Sequence, residues 1–357
     1  MVIHITVLIT AYNRKEYIKR AIDSVLNQTL NKDLYNIIVI KNFYDDEIDK
    51  YTKDHNIKSI VMDGTEGVYF IRGVKESSSD VISFLDDDDE FTMDKLLFIY
   101  EKFRENSHLI YLHNSYVQID DTGKQLNINV SPNFEDIYIV NQNNKQILNA
   151  LKKGGDFNLS SISIRKDILM RHFDYLKNIH HMTDTSLFYL CLSERGSMLL
   201  SSYSYTKIRF HVSTSRPDLS NKESLIISHR NNDITNTISF MAAYFADYSF
   251  YSLIKCMVYS NSLMKQLLSN KYAHLLKNSI NFLFCSFKLN KKKRLGFLAI
   301  YIISFLVQNN NLFLYFYLKI EKNQRKKIKK AIKNHESNFS FPIKISSFSL
   351  NSSIISL

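Results

Sequence analysis

Residues 81–90 read Val-Ile-Ser-Phe-Leu-Asp-Asp-Asp-Asp-Glu. The first half, VISFL, has the pattern of a buried strand. The second half is four consecutive aspartates, Asp86, Asp87, Asp88 and Asp89, followed by Glu90. Neighbouring carboxylates repel one another, and at the end of a buried strand they are costly unless a cation neutralises them. Along an extended stretch alternate side chains share a side, so Asp86 and Asp88 are expected to face the same way. Their hard oxygens suit Mg²⁺ or Mn²⁺, which also take oxygens from a diphosphate. An isolated charge run is more simply a solvated turn. Here the preceding strand argues for a site, because it sets the acids at the end of a sheet.

Working outward, strand and helix signals alternate. Val2–Ile9 is a β-branched run, and Glu16–Gln28 carries apolar residues on one helical face (Tyr17, Ile18, Ala21, Ile22, Val25, Leu26). Strand patterns recur at Asn36–Ile40, Lys58–Met62, Val81–Leu85 and Leu109–His113. Helical stretches fall at Asp45–His55, Gly67–Ser77 and Asp94–Phe103. This alternation predicts an α/β fold of parallel βαβ units with helices on both faces of the sheet. Ligands of such sheets sit beyond the carboxyl ends of the strands, so functional residues should follow each strand directly. Further on, strands and loops are expected over 115–165, ending in SSISI before a short helix. A helix is expected at Asp184–Gly196 and an extended segment at Ser201–His211.

Composition narrows the classes. The chain has 357 residues, 45% apolar and 23% charged, so it can bury a core without metal or disulfide staples. It contains no P-loop, no G-x-G-x-x-G and no H-E-x-x-H. The three cysteines (Cys191, Cys256, Cys285) are scattered and imply no disulfide framework, and an intracellular setting is the expectation. The N-terminus, MVIHITVLIT, is not read as a signal peptide. Charge is uneven. Residues 1–220 hold 26 Lys+Arg against 30 Asp+Glu, a net −4, and residues 221–357 hold 20 against 5, a net +15. A basic rear suits nucleic acid or an anionic membrane, and charge alone does not choose.

A second segment, Thr10-Ala11-Tyr12-Asn13-Arg14, follows the first strand. Its small and polar groups suit a nucleotide, and Arg14 either meets a phosphate or starts a helix. Taken whole, ITVLITAYNRKEYIKRAIDSVLNQT resembles the opening of the family 2 glycosyltransferases, with T-x-Y-N-R after the first strand and S-x-x-x-Q-T closing the helix. GVYFIRGVKESSSDVISFLDDDDEF is similar to that family's Gly…Arg…Gly–Asp–strand–L-D-x-D-D segment, with Arg72 as the arginine. The resemblance runs collinearly over roughly residues 3–100. It implies the GT-A fold, a Rossmann-like, mostly parallel central sheet, over residues 1–220. It also implies a nucleotide-diphosphate sugar donor and a divalent metal, Mn²⁺ or Mg²⁺. By that resemblance Asp86 contacts ribose or metal, Asp88 is the principal metal ligand with Asp89 supporting the site, and Thr10–Arg14, Arg72 and Asp87 line the donor.

The chain departs from the family after the second strand, where V-V-D-D is replaced by Val39-Ile40-Lys41-Asn42. Asn42 can still hydrogen-bond a base edge through its amide. Lys41 reaches a phosphate or points to solvent. Asp63, after the third strand, is a further base contact or simply a turn residue. The family draws its base from a Glu-Asp pair opening a later helix. Here His180-His181-Met182-Thr183-Asp184 puts Asp184 at the Asp position and Thr183 at the Glu. Asp184 is thus the candidate general base, and helix capping is its alternative role. Ile208-Arg209-Phe210-His211 resembles the family's R-x-H segment, which makes His211 a metal or diphosphate contact. No Trp occurs, so the Q-x-x-R-W motif of processive synthases is absent and transfer of a single sugar is expected. The rival expectation is a non-catalytic GT-A scaffold at a membrane surface. A nucleotidyltransferase is disfavoured by the lack of a glycine-rich phosphate loop.

The rear, residues 221–335, reads as a helical basic region. Lys288–Arg294 has 5 basic residues in 7, Leu295–Val307 is uncharged, Leu312–Leu318 is apolar, and Lys319–Lys333 holds 8 basic residues. Neither apolar run reaches the ~20 residues of a spanning helix. Basic flanks on both sides suit peripheral or monotopic attachment to an anionic membrane from the cytoplasmic side, near a glycan or lipid-linked acceptor. Two helices packed on the catalytic domain are the alternative. Nucleic-acid binding is not expected, since no recognition module precedes the cluster. Residues 336–357 form a Ser-rich tail.

Overall fold

The computed structural model describes residues 2–126, 135–209 and 232–268, with 278, 280 and 281. His211, the apolar runs within 295–318, their basic flanks and the Ser-rich tail lie outside the described residues. The chain divides into two compact units, Met1–Gln125 with Asn129–Phe210, and Leu126–Ile128 with His211–Leu357.

The first unit is built on β1 (Ile5–Ala11), whose seven residues are all buried. A strand covered on both faces needs apolar residues at nearly every position, which is why ITVLITA does not alternate. It pairs in parallel with β2 (Tyr35–Lys41) on one side and β4 (Val81–Asp86) on the other. β3 (Lys58–Val61) extends the parallel array beyond β2. The helices α1 (Ile18–Leu26), α2 (Asp46–Asp54), α3 (Glu66–Glu76) and α4 (Lys95–Glu105) connect or follow these strands. Ile5, Val7, Ile9 and Ala11 share a core with Ile18, Ala21, Ile22 and Val25 of α1 and Leu96, Ile99 and Phe103 of α4. The alternate residues face α3. Phe84 meets Phe70 at 4.8 Å between ring centroids, and Gly73 lies against Leu8 so closely that a Cβ would overlap its methyls.

Beyond β4 the sheet turns mixed. Among the described residues it has nine strands, and β8 (Ile162–Arg165) lies antiparallel between β4 and β6 (Leu109–Ile119). The predicted fifth strand is therefore present and runs the same way as the first four, but it is not their neighbour. Periodicity identifies a strand without identifying its partner, and four residues of β8 suffice to separate the two. β9 (Ser197–Arg209) runs parallel to β6, with register shifts between Asn114 and Tyr116. The short β5 (Glu90–Phe91) and β7 (Ile137–Val140) pair antiparallel with β9. Thus β1, β2, β3, β4, β6 and β9 run one way, and β5, β7 and β8 the other. Around this sheet stand α5 (Asn144–Lys152), α6 (Lys166–Arg171), α7 (Phe173–Leu176) and α8 (Thr183–Ser193).

In the second unit, α9 (Asn232–Tyr244) and α10 (Tyr251–Leu268) pack together. Phe245 and Phe250 are buried at their junction, with Tyr248 stacked on Phe250, and Asn261 Nδ2 donates to Thr235 Oγ1 at 2.9 Å. Among the described residues no helix is long and apolar enough to cross a membrane.

Candidate active site at the carboxyl ends of the parallel strands

β1, β2 and β4 end level with one another, because Thr10 is in register with both Ile40 and Asp86. The acidic run leaves the sheet at that edge. It does not continue extended, as the alternation argument assumed. The Asp89 N–H turns back to the Asp86 carbonyl at 3.2 Å, and the chain re-enters the sheet as β5. The turn draws Asp86, Asp88 and Asp89 together, with carboxylate oxygens all within 4.8 Å of one another. It sends Asp87 the other way, to a buried position where Arg14 grips it: Nε to Oδ2 at 2.9 Å and Nη2 to Oδ1 at 2.5 Å. Arg14 Nη1 also reaches Asp88 Oδ2 at 2.9 Å. Arg14 and Asp87 thus hold each other.

Electrostatics make the turn unhappy by itself. Burial pushes the Asp86 carboxyl well above the usual range, and the charges of Asp89, Glu66, Asp88 and Asp87 push it further. Burial likewise raises Asp89 to about 7, with Asp88 adding and hydrogen bonds from Ser160, Arg209 and Asn158 pulling back. Burial raises Asp87 to about 6 against the pull of Arg14. A pocket of mutually repelling carboxylate oxygens fits a hard divalent cation. Asp86, Asp88 and Asp89 are the residues that would hold it.

The other expected residues fall as follows. Thr10 is nearly buried beside Asp86, and the Ala11 methyl lies in the core, leaving only backbone for a ligand. Tyr12 is exposed. Asn13 adopts a left-handed backbone (φ 56°). Its N–H donates to Asn42 Oδ1 at 2.8 Å, and Asn42 Nδ2 returns a bond to Asn13 Oδ1 at 2.9 Å, so the ends of β1 and β2 are tied. Lys41 does neither thing expected of it. It is fully buried, donates to the Phe43 carbonyl at 2.6 Å and pairs with Asp49 of α2 at 2.7 Å. Asp63 is exposed after β3, where its charge adds to the burial that pushes the Tyr69 phenol up. Arg72 lies on the outer side of α3, paired with Glu76 at 2.8 Å, and does not join the acidic turn.

Asp184 lies in the first turn of α8, which Met182 enters with a left-handed backbone (φ 57°). Its Oδ1 accepts from the Thr185 N–H at 2.8 Å and its Oδ2 from the Asn158 N–H at 2.9 Å. It therefore satisfies a helix-end donor and also holds a separate loop. Burial raises its carboxyl, and those backbone hydrogen bonds oppose the rise.

Several residues escaped the sequence reading. Glu66, first in α3, accepts from Thr183 Oγ1 at 3.1 Å. Burial raises it to about 7, Thr183 opposes, and the charges of Asp184 and Asp87 add. An acid in a first helical turn complements the helix dipole, and nothing in the sequence marked this one as facing other acids. Arg209 was in view only beside His211. Its fully enclosed side chain donates to the Asp88 carbonyl at 2.9 Å, the Asp120 carbonyl at 2.6 Å and Glu90 Oε1 at 2.5 Å, while its N–H meets Asp89 Oδ1 at 3.0 Å. Lys95 is fully buried behind the turn, over the Phe91 ring at 3.8 Å, bonded to the Ser160 carbonyl and to Thr206 Oγ1 at 3.0 Å. Ser160 Oγ in turn accepts the Asp86 N–H at 3.0 Å.

The family model for glycosyl transferase family 2 matches residues 6–173.

Residues 6–173 form a glycosyl transferase family 2 domain.

The match includes the acidic turn of this glycosyltransferase domain and stops short of Asp184 and Arg209. The chain is 36% identical over 127 residues to an uncharacterized glycosyltransferase of Rickettsia bellii, covering 34% of this chain and 18% of that protein. It spans about a fifth of the length of the Rickettsia relatives it matches. An uncharacterized glycosyltransferase of Haemophilus influenzae is 28% identical over 215 residues, 56% of this chain and 76% of that protein. Among solved structures, S. aureus TarS 1-349 in complex with UDP-GlcNAc superposes with a TM-score of 0.51 at 13% identity, over 90% of this chain and 92% of that one. That likeness is one of fold, and it is the GT-A-like α/β fold expected from the sequence.

Proposed function

We propose that this chain transfers a single sugar, with inversion, from a nucleotide-diphosphate donor to a hydroxyl of a glycan or lipid-linked acceptor. The observation that carries the reading is the convergence of Asp86, Asp88 and Asp89 within 4.8 Å at the strand ends of a family 2 domain. A divalent cation, Mn²⁺ or Mg²⁺, held by these carboxylates supplies charge neutralisation for the departing diphosphate. Asp184 takes the proton from the acceptor hydroxyl as its oxygen bonds the anomeric carbon and the bond to the diphosphate breaks. The acceptor's approach opposite the leaving group inverts the anomeric centre. Thr10, Tyr12, Asn13, Asn42 and Asp63 surround the nucleotide side. The TarS complex makes UDP-GlcNAc the first donor to try.

The test of the base is Asp184→Asn, which keeps the shape of the side chain and removes its basicity. Donor affinity should hold while turnover falls about 10²–10⁴-fold. A variant that turns over at the wild-type rate but melts earlier would leave Asp184 as a helix-end residue only.

The basic rear supports a second element of the reading, peripheral or monotopic attachment to an anionic membrane on its cytoplasmic face. Each Lys or Arg near such a surface contributes about 1 kcal/mol at low salt. The full chain should co-sediment with anionic vesicles and release with salt, and a chain ending near Lys288 should not. Equal sedimentation of both would end that reading.

A further inference from the structure

Asn158 stands between the two halves of the site. Its side-chain Nδ2 donates to Asp89 Oδ2 at 3.1 Å, and its backbone N–H donates to Asp184 Oδ2 at 2.9 Å. Ser161 Oγ donates to its Oδ1 at 3.3 Å, which fixes the amide with the nitrogen toward Asp89. Asp89 Oδ1 is taken by the Arg209 N–H, so both oxygens of that carboxylate have fixed partners.

The backbone at Asn158 is unusual, with φ 71° and ψ 110°. Few L-residues adopt this region, and such a conformation persists only where the surroundings impose it. The loop before it is held on several sides. Tyr111 Oη donates to the Gly155 carbonyl at 2.8 Å, and Thr185 Oγ1 to the Asp156 carbonyl at 3.3 Å. His113 Nε2 meets the Phe157 carbonyl at 2.7 Å, and because only an N–H can donate there, the proton sits on Nε2. Asn158 itself is 9% exposed. A rigid loop thus carries one strained residue whose side chain meets an acid of the turn and whose backbone meets the candidate base.

We propose that Asn158 is a positioning residue that couples the acidic turn to Asp184, holding Asp89 with its amide and Asp184 with its N–H so that the two stay in fixed register. The proposal rests on the reading of the turn as a metal site and of Asp184 as the base. Removing the amide takes from Asp89 Oδ2 its Asn158 partner while Oδ1 stays on the Arg209 N–H, which weakens cation binding and loosens the link to Asp184.

The experiment uses the full chain and Asn158→Gly. Glycine accepts the left-handed backbone and keeps the N–H to Asp184, but lacks the amide. Titration with Mn²⁺ alone should show affinity about 10-fold weaker than wild type, at an unchanged melting temperature, as for other residues behind metal ligands. With a donor identified and Mn²⁺ saturating, kcat should fall about 10–100-fold while donor KM stays put. Wild-type Mn²⁺ affinity and kcat in Asn158→Gly would overturn the coupling and leave the metal site and base standing. A wild-type chain that does not bind Mn²⁺, or an Asp184→Asn variant that turns over normally, would overturn the underlying reading and this inference with it.

Discussion

Arg14 sets one guanidinium against two of four consecutive aspartates, gripping Asp87 through two nitrogens and Asp88 through a third. The Arg14 guanidinium does not pair with Asp86 or Asp89, although the Arg209 backbone N–H meets Asp89, and these two acids, with Glu66, are the ones that burial raises most clearly. The sign of the pH effect follows. A carboxyl whose folded value lies above its unfolded one contributes stability that is full below the unfolded value and lost as pH rises through the folded value. Glu66 and Asp89 lie at about 7, so the window runs from the ordinary carboxylate range to just above neutrality. The metal-free protein should therefore melt at a lower temperature at pH 8 than at pH 5.5. Mn²⁺, which binds ionised carboxylates, should raise the melting temperature at pH 8 far more than at pH 5.5. Thermal scans across pH with and without Mn²⁺ check this, and a metal-free melting temperature that climbs with pH would contradict it.

At the scale of elements, α3 delivers Glu66 to the site only because it can approach α7 closely. A Cβ on Gly67 would run into the Leu176 carbonyl and lie 2.9 Å from that of Ile179, and the Gly67 N–H donates to Ile179 at 3.3 Å. Backbone atoms cannot swing aside as a side chain can. Gly67→Ala should therefore destabilise the fold by about 1–3 kcal/mol, read as a lower urea midpoint at unchanged slope. A wild-type midpoint would mean that α3 and α7 do not pack as described. This contact also illustrates what could be read beforehand. The strands and helices up to Phe103 were legible because buried strands and one-sided helices have distinct apolar periods, and Asp86–Asp89 was legible because charge following such a strand is conspicuous. Arg72 was carried over from a resemblance and stands on the outer side of its helix. Glu66, Lys95 and Arg209 come from three separate elements and Asn158 from a loop, and the places of Asn158 and Arg209 depend on β8 and β9 taking positions in the sheet that no local pattern encodes. Lys41 looked like a charge at a strand end. It is a buried cation because Asp49, eight residues on, folds back over it on α2.

The whole molecule joins an acidic front to a basic rear, −4 over residues 1–220 and +15 over 221–357. In the proposed reading the front handles the nucleotide sugar and the rear keeps it near an anionic surface, so the acids of the front gain nothing from phosphate-bearing ligands except through a cation. In that reading a cation strengthens donor binding. Of the described cations expected near the donor, Arg14 is engaged with the acidic turn, Lys41 with Asp49 and Arg72 with Glu76. Calorimetric titration of the full chain with a panel of nucleotide sugars, UDP-GlcNAc first, with and without Mn²⁺, tests it most directly, with Asp88→Ala as the comparison. A donor should bind the wild-type chain with Mn²⁺, at least about 10-fold more weakly without it, a difference of about 1.4 kcal/mol, and should bind Asp88→Ala at that weaker level whether or not Mn²⁺ is present. Equal donor affinity with and without Mn²⁺, or Mn²⁺-dependent binding that survives in Asp88→Ala, would contradict it.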